Sequence, residues 1–330
     1  MFMAQDKAFA PNQSASFCLG VDLGSRHLRI GLVDRTGEVL VFRREPYQVV
    51  PASPEQNRAL ADQLLAAVRQ VMDEHPGQVA AIGIGFPGLV HQLTHRIIAL
   101  PNVPSFANLD LYQEFKRVFN LPIAFENSSN AAAFAEMACG VAQGVSDWLY
   151  ISIGTSVGSG LVLDGKLRRG KSGFAGEIGH ININPDGIEC ACGSTGCLET
   201  IASVPNIVRR TRARLQRDST SSLSRLGNEK ITYEDVINAA EQGDDLARMM
   251  LERTGHFIGM AVADMINALN LSMVAIGGHP RARPFLVPAI TEEARRRAFP
   301  ASFEDCQIVA ARLGEEAGVV GIALLAAKLI

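Results

Sequence analysis

The stretch Trp148-Leu-Tyr-Ile-Ser-Ile-Gly-Thr-Ser-Val-Gly-Ser-Gly-Leu-Val-Leu163 reads as two apolar strands around a loop of small residues, followed by a turn at Asp164 and Gly165. The first strand spans Trp148 to Ile153, the loop Gly154 to Gly160, and the second strand Leu161 to Leu163. The same design stands roughly 130 residues earlier, where Phe17 to Val21 and Leu28 to Val33 flank the loop Asp22-Leu-Gly-Ser-Arg-His27 and an Asp34 to Gly37 turn follows. This recurrence predicts a duplicated α/β protein whose halves face each other across a cleft.

Outward from each hairpin the α/β grammar continues. Val39 to Phe42 is a third strand, and Ser53, Pro54 and Gln56 form a cap, a first helical position and a capping box. Leu60, Leu64, Val68, Val71 and Met72 then share one helical face, and Val79 to Ile84 is a buried strand. In the second half, Ile123 to Glu126 is a strand and Asn130 to Val141 an Ala-rich helix. Phe257 to Leu269 is helical, Met273 to Ile276 is a strand ending at Gly277 and Gly278, and Ala317 to Lys328 is a small-residue helix capped by Glu315 and Glu316.

The chain's 330 residues favour two domains, each able to bury a core without covalent staples. Hydrophobic residues at 47% and charged residues at 20% exclude a disordered or fibrous chain. A net charge of −3 provides no general pull toward nucleic acid or an anionic membrane. No uncharged apolar run reaches the roughly 18 to 20 residues that cross a bilayer. The polar, low-complexity segment Met1 to Ser16 lacks a basic start and an apolar block, so no signal peptide is expected and the cytoplasm is the expected compartment.

Gly83, Gly85 and Gly88 spell a dinucleotide-binding pattern after a strand. That pattern binds pyrophosphate only where it opens a helix, and Leu89 to Ile97 reads as extended, so a tight turn at the cleft edge is expected instead. The loop Gly154 to Gly160 is better suited to phosphate: its glycines leave backbone N–H groups accessible, and Thr155 and Ser156 add hydroxyls. Asp22 is placed to hold a hydrated Mg²⁺, although Arg26 and His27 make the first loop bulkier. His180, Cys190, Cys192 and Cys197 are one imidazole and three thiols that can close a tetrahedron around a structural Zn²⁺, with Gly193 and Gly196 letting the chain fold back. Cys18, Cys139 and Cys306 lie in apolar segments and read as core residues. Arg209, Arg210, Arg212, Arg214 and Arg217 read as a solvated helix face.

Gly176-Glu-Ile-Gly-His180 followed by Cys190-Ala-Cys-Gly-Ser-Thr-Gly-Cys-Leu-Glu199 resembles the signature of the ROK family, the bacterial sugar kinases and sugar-responsive repressors of the actin and hexokinase superfamily. The resemblance runs from Phe17 to Ile330. It implies two actin-like, ribonuclease H-like lobes with ATP between them and a hexose or N-acetylhexosamine beneath a zinc-stabilised loop. Residues 17–121 with 312–330 would form one lobe and 122–311 the other, behind a disordered tail at 1–16. Gly88, Asn102, Asn127, Glu177, His180 and Glu199 would hold the sugar. Asp22, Gly24, Arg26, Gly154, Thr155, Ser156, Gly158, Gly277 and Gly278 would serve Mg²⁺-ATP. The resemblance also implies a homodimer.

Two departures bear on activity. The family's catalytic stretch is Glu-Asn-Asp-x-Asn-Ala-Ala-Ala, with the aspartate as general base, whereas this chain has Glu126-Asn-Ser-Ser-Asn-Ala-Ala-Ala133, which puts Ser128 in the aspartate's place. The kinases' Asp-x-Gly-Gly-Thr-Lys is here Asp22-Leu-Gly-Ser-Arg-His27, closer to the looser loops of the family's repressors. Family repressors carry an N-terminal helix-turn-helix of several dozen residues, and sixteen precede the first strand here, so direct DNA binding is not expected. Two functions are therefore expected: a glucokinase-like hexose kinase of doubtful turnover, or a catalytically impaired sugar-binding sensor or regulatory protein.

Overall fold

A computed structural model describes residues 16–24, 27–47, 54–99, 110–217 and 220–330. In the first sheet β1 (Phe17–Leu23), β2 (His27–Asp34) and β3 (Val39–Pro46) form an antiparallel meander. Helix α1 (Pro54–Glu74) returns the chain to β4 (Val79–Phe86), parallel to β1. The expected cap at Ser53 lies outside the described residues, and α1 begins at Pro54 as its fixed φ favours. The short strands β5 (Leu89–Val90) and β6 (Ile97–Ala99), then α2 (Leu111–Val118), lead to β7 (Ile123–Asn127), parallel to β4. The sheet order is β3-β2-β1-β4-β7.

The second half repeats this plan. After α3 (Ser128–Cys139), strands β8 (Trp148–Ile153), β9 (Val157–Leu163) and β10 (Lys166–Leu167) form the meander. The helices α4 (Glu199–Ala202), α5 (Val204–Leu215), α6 (Tyr233–Glu241) and α7 (Asp245–Leu269) precede β11 (Met273–Ile276), which pairs parallel with β8. Then α8 (Arg283–Arg297), α9 (Pro300–Glu304), β12 (Gln307–Ala310) and α10 (Ala317–Ala327) complete the chain. The order β10-β9-β8-β11-β12 matches the first sheet position for position, which is the duplication the hairpins predict.

The helices between the sheets change sides. β7 is the edge of the first sheet, yet α3 packs its Ala132 and Ala133 against Trp148, Tyr150 and Val162 of the second. β12 is the edge of the second sheet, yet α10 packs Val319, Val320 and Ala323 against Cys18, Val33 and Ala81 of the first. The boundary expected at residue 122 is thus corrected: Ile123–Asn127 hydrogen-bonds within the first sheet, because a parallel edge strand must follow a crossover such as α2. Close helix approach explains the small residues. A Cβ on Gly321 would lie 1.7 Å from the Ala131 carbonyl oxygen, and one on Gly83 would lie 2.2 Å from that of Ile322. Gly83 therefore serves helix packing, and the chain after Gly88 runs on as β5 rather than opening a helix.

Buried Glu136 of α3 fastens the crossover. Its Oε1 accepts from the backbone N–H groups of Arg312 and Leu313, both at 2.8 Å, just ahead of α10. Two expectations are corrected in length. β9 starts at Val157, so the small-residue loop is only Gly154 to Ser156. α7 starts at Asp245, capped by Asp244 accepting from the Ala247 N–H at 3.0 Å, because Leu246, Met250 and Leu251 already supply its buried face. Among the described residues no helix is long and apolar enough to cross a membrane.

Candidate functional site

A cleft of about 760 Å³ lies between the sheets. The turn from β7 into α3 builds one wall. Asn127 caps α3 by accepting from the N–H groups of Ser129 (2.8 Å) and Asn130 (3.1 Å), while its Nδ2 donates to the Gly88 carbonyl at 2.9 Å. Glu126, 2% exposed, accepts from Arg169 Nε at 2.5 Å, Asn130 Nδ2 at 3.1 Å and the Asn127 N–H at 3.0 Å. That carboxylate is fully occupied in holding the turn.

The next residue, Ser128, donates its hydroxyl to Asp22 Oδ1 at 2.6 Å. Asp22 is 5% exposed, and its Oδ2 accepts from Arg29 Nη1 at 2.7 Å, so each oxygen of this buried carboxylate has a partner. The hairpin register makes the second contact, since Asp22 and Arg29 sit directly opposite in β1 and β2. Glycines clear the space: a Cβ on Gly85 would lie 3.2 Å from Asp22 Oδ1, and one on Gly318 2.6 Å from Oδ2.

The opposite wall carries Glu177, His180 and Glu199. Glu199 opens α4 and accepts from the Val157 N–H at 3.1 Å, which fixes its carboxylate at the end of the β8–β9 loop. Burial raises the Glu177 carboxyl above its ordinary range; the Glu199 charge adds to this and His180 opposes it. Behind them, ligand atoms of His180, Cys190, Cys192 and Cys197 all lie within 4.8 Å of one another. Cys192 and Cys197 sulfurs are 3.7 Å apart, and Cys190 Sγ is 3.6 Å from His180 Nδ1. A tetrahedral Zn²⁺ requires edges of about 3.8 Å between sulfurs and about 3.6 Å from sulfur to nitrogen, so this donor set could hold a metal ion and fits zinc. With Nδ1 turned to the cysteines, Nε2 is the imidazole's remaining polar atom, and His180 also lines the cleft.

The cleft gathers most of the residues singled out in the sequence: Asp22, Gly24, Gly88, Asn127, Ser128, Gly154, Thr155, Ser156, Gly158 and Gly278 line it with the three just named. Gly277 does not. A Cβ there would strike the Tyr150 hydroxyl at 2.3 Å, so its smallness serves packing. Gly158 likewise accommodates Ser129, whose Oγ would lie 2.1 Å from an added Cβ. Asn102 and Arg26 lie outside the described residues. Sequence reasoning missed Arg29, Arg44, Tyr150, Tyr233 and His279, all of which line the cleft. Only Arg29 had a readable signal, because counting back from the hairpin turn sets it opposite Asp22.

The profile of the ROK family matches residues 18–329. The chain belongs to the ROK family. A glucokinase from Halalkalibacterium halodurans is 30% identical over 311 residues, covering 92% of each chain. A xylose repressor from Caldicellulosiruptor bescii is 31% identical over 316 residues, covering 94% of this chain and 78% of that one. In structure, the ROK family glucokinase from Streptomyces griseus, crystallised with glucose and AMPPNP, superposes with a TM-score of 0.84 at 31% identity, covering 94% of this chain and 99% of that one. ROK relatives at similar identity thus include both enzymes and repressors, and the two-lobed fold expected from the resemblance is the observed one.

Proposed function

We propose that this ROK protein is a cytoplasmic hexose- or N-acetylhexosamine-binding protein that keeps the sugar pocket and has lost efficient phosphoryl transfer, acting as a sensor or regulatory protein. One observation carries the reading: Ser128 stands at the family's base position and spends its proton on Asp22. A serine hydroxyl cannot take a proton from a sugar hydroxyl at neutral pH, and loss of a positioned base costs about 10²- to 10⁴-fold in rate. Asp22, the residue expected to face Mg²⁺-ATP, already pairs with Arg29 and Ser128, so its negative charge is partly neutralised before a hydrated metal approaches. Structural Zn²⁺ held by His180, Cys190, Cys192 and Cys197 would fix the loop that carries Glu177 and leads to Glu199.

The second reading, a working hexose kinase, draws support from the cleft itself. The Gly154–Ser156 turn, Gly278 and the described sugar-side residues Gly88, Asn127, Glu177, His180 and Glu199 line one cavity, and the glucokinase relatives span nearly the whole chain. Sugar binding is common to both readings and has a direct test. Glu199→Ala removes a carboxylate held at the cleft by the Val157 N–H, and losing a charged hydrogen-bond partner is worth about 1.5 to 3 kcal/mol. Calorimetric titration across a hexose panel should give at least about a tenfold loss of affinity in the variant. Equal affinities for wild type and Glu199→Ala would overturn the sugar assignment.

A further inference from the structure

The arginine run of α5 and the turn after it divides in the fold: Arg209, Arg214 and Arg217 are exposed, as a solvated face predicts, whereas Arg210 and Arg212 are half-buried. Arg212 turns away to the carbonyls of Glu229 and Ile231, both at 2.8 Å. Arg209, Arg210, Arg214 and Arg217 instead line, with Arg253 of α7, a second cleft of about 500 Å³ that shares no residue with the cleft between the sheets. Its remaining wall is largely apolar, from Ile201, Met250 and Phe257, and no carboxylate lines it.

The partners of these guanidiniums are neutral. Arg210 lies 5.4 Å over the Phe257 ring and donates to the Ile201 carbonyl and to Thr254 Oγ1, both at 3.1 Å. Arg209 donates to Asn206 Oδ1 at 3.0 Å and to the Thr200 carbonyl at 3.3 Å. Among the described residues none of the five arginines forms an ion pair, whereas Arg212 reaches Glu229 at 3.5 Å. Burial, with repulsion from Arg253 and Arg209, lowers Arg210 to about 10. Arg210 is half-buried and the other four are exposed, so the group presents a concentrated positive charge on one concavity, which draws an anion.

We propose that this second cleft binds a small phosphorylated ligand, its phosphate oxygens held by Arg214, Arg217 and Arg253 and its organic part set against Ile201, Met250 and Phe257. Planar guanidinium forks match phosphate oxygens two at a time. The volume is that of a small-ligand cavity. A nucleic acid would instead need cations spread along a backbone track, and these converge on one concavity. The inference does not depend on the proposed sugar chemistry.

Inorganic pyrophosphate is the probe, titrated calorimetrically into the full chain in a buffer without added divalent cations and without chelator. Binding is expected, weakened by about tenfold or more in Arg214→Gln/Arg253→Gln and weakened less in the charge-preserving Arg214→Lys/Arg253→Lys. Both side chains are exposed, and an unchanged melting temperature verifies that the variants fold. Pyrophosphate that binds the Gln double variant as tightly as wild type would place the anion elsewhere and overturn the proposal. So would absence of binding at millimolar pyrophosphate, or binding of duplex DNA that these substitutions abolish while pyrophosphate does not bind.

Discussion

Removing the proposed zinc from the His180, Cys190, Cys192 and Cys197 cluster should destabilise the protein by roughly 4 kcal/mol or more, lowering its melting temperature on the order of 10 °C. The chain between these ligands is a loop folded back on itself by backbone bonds such as Cys190 N–H to the Ser194 carbonyl at 2.7 Å and Gly196 N–H to that of Ile188 at 2.9 Å. Four bonds to one ion would cross-link that loop and tie it to His180. Without metal the thiols differ. A backbone hydrogen bond at Ser194 lowers Cys192, whereas burial, followed by its Cys192 and Cys190 neighbours, pushes Cys197 up to about 12. Zinc must expel the protons that remain, so its contribution falls as the pH is lowered. Elemental analysis and thermal melts, before and after chelation and for Cys197→Ala, test this directly. About one Zn²⁺ per chain and a large drop in both treatments are expected; metal-free protein from a chelator-free preparation, or unchanged melts, would refute the zinc assignment.

Ser128→Asp should raise hexose-dependent kcat by about one to four orders of magnitude. The new carboxylate would begin α3, whose N-terminus favours negative charge, and would stand beside Asp22 where Arg29 can share the load. Gly85 carries no side chain to crowd the position, since a Cβ there would already stand in tight contact with Ser128 Oγ at 3.3 Å. Steady-state ADP release at saturating hexose is the readout. If the variant binds sugar and nucleotide yet gains nothing, the defect resides in the Asp22–Arg29 pair rather than at position 128.

The fold was legible where local pattern and topology agree. The two hairpins at Phe17 and Trp148 announced the duplication because a small-residue loop between apolar strands survives as sequence, and the matching sheet orders bear it out. The lobe boundary was not legible. Ile123–Asn127 and Ser128–Cys139 are contiguous, yet the strand joins one sheet and the helix covers the other, a crossover that no local pattern encodes. The glycine pattern at Gly83 misleads for a related reason: Gly83 answers to Ile322 of α10, more than two hundred residues away, and Gly85 to Asp22 and Ser128. The His180, Cys190, Cys192 and Cys197 cluster was readable because its spacing is short and its residue types share one chemistry. Arg29 was overlooked although the cross-strand register sets it against Asp22, and the arginine cleft needed α7 beside α5 to become visible.

Sugar binding without efficient catalysis is proposed for this pocket. One preparation of wild-type protein, assayed for hexose binding by calorimetry and for ADP release across the same hexose panel with Mg²⁺-ATP, separates the two properties. A hexose is expected that binds saturably and is turned over at least about a hundredfold below an ordinary kinase rate of about 1 to 10³ per second. Turnover of that hexose within the ordinary range would contradict it, and would require a proton acceptor other than Ser128.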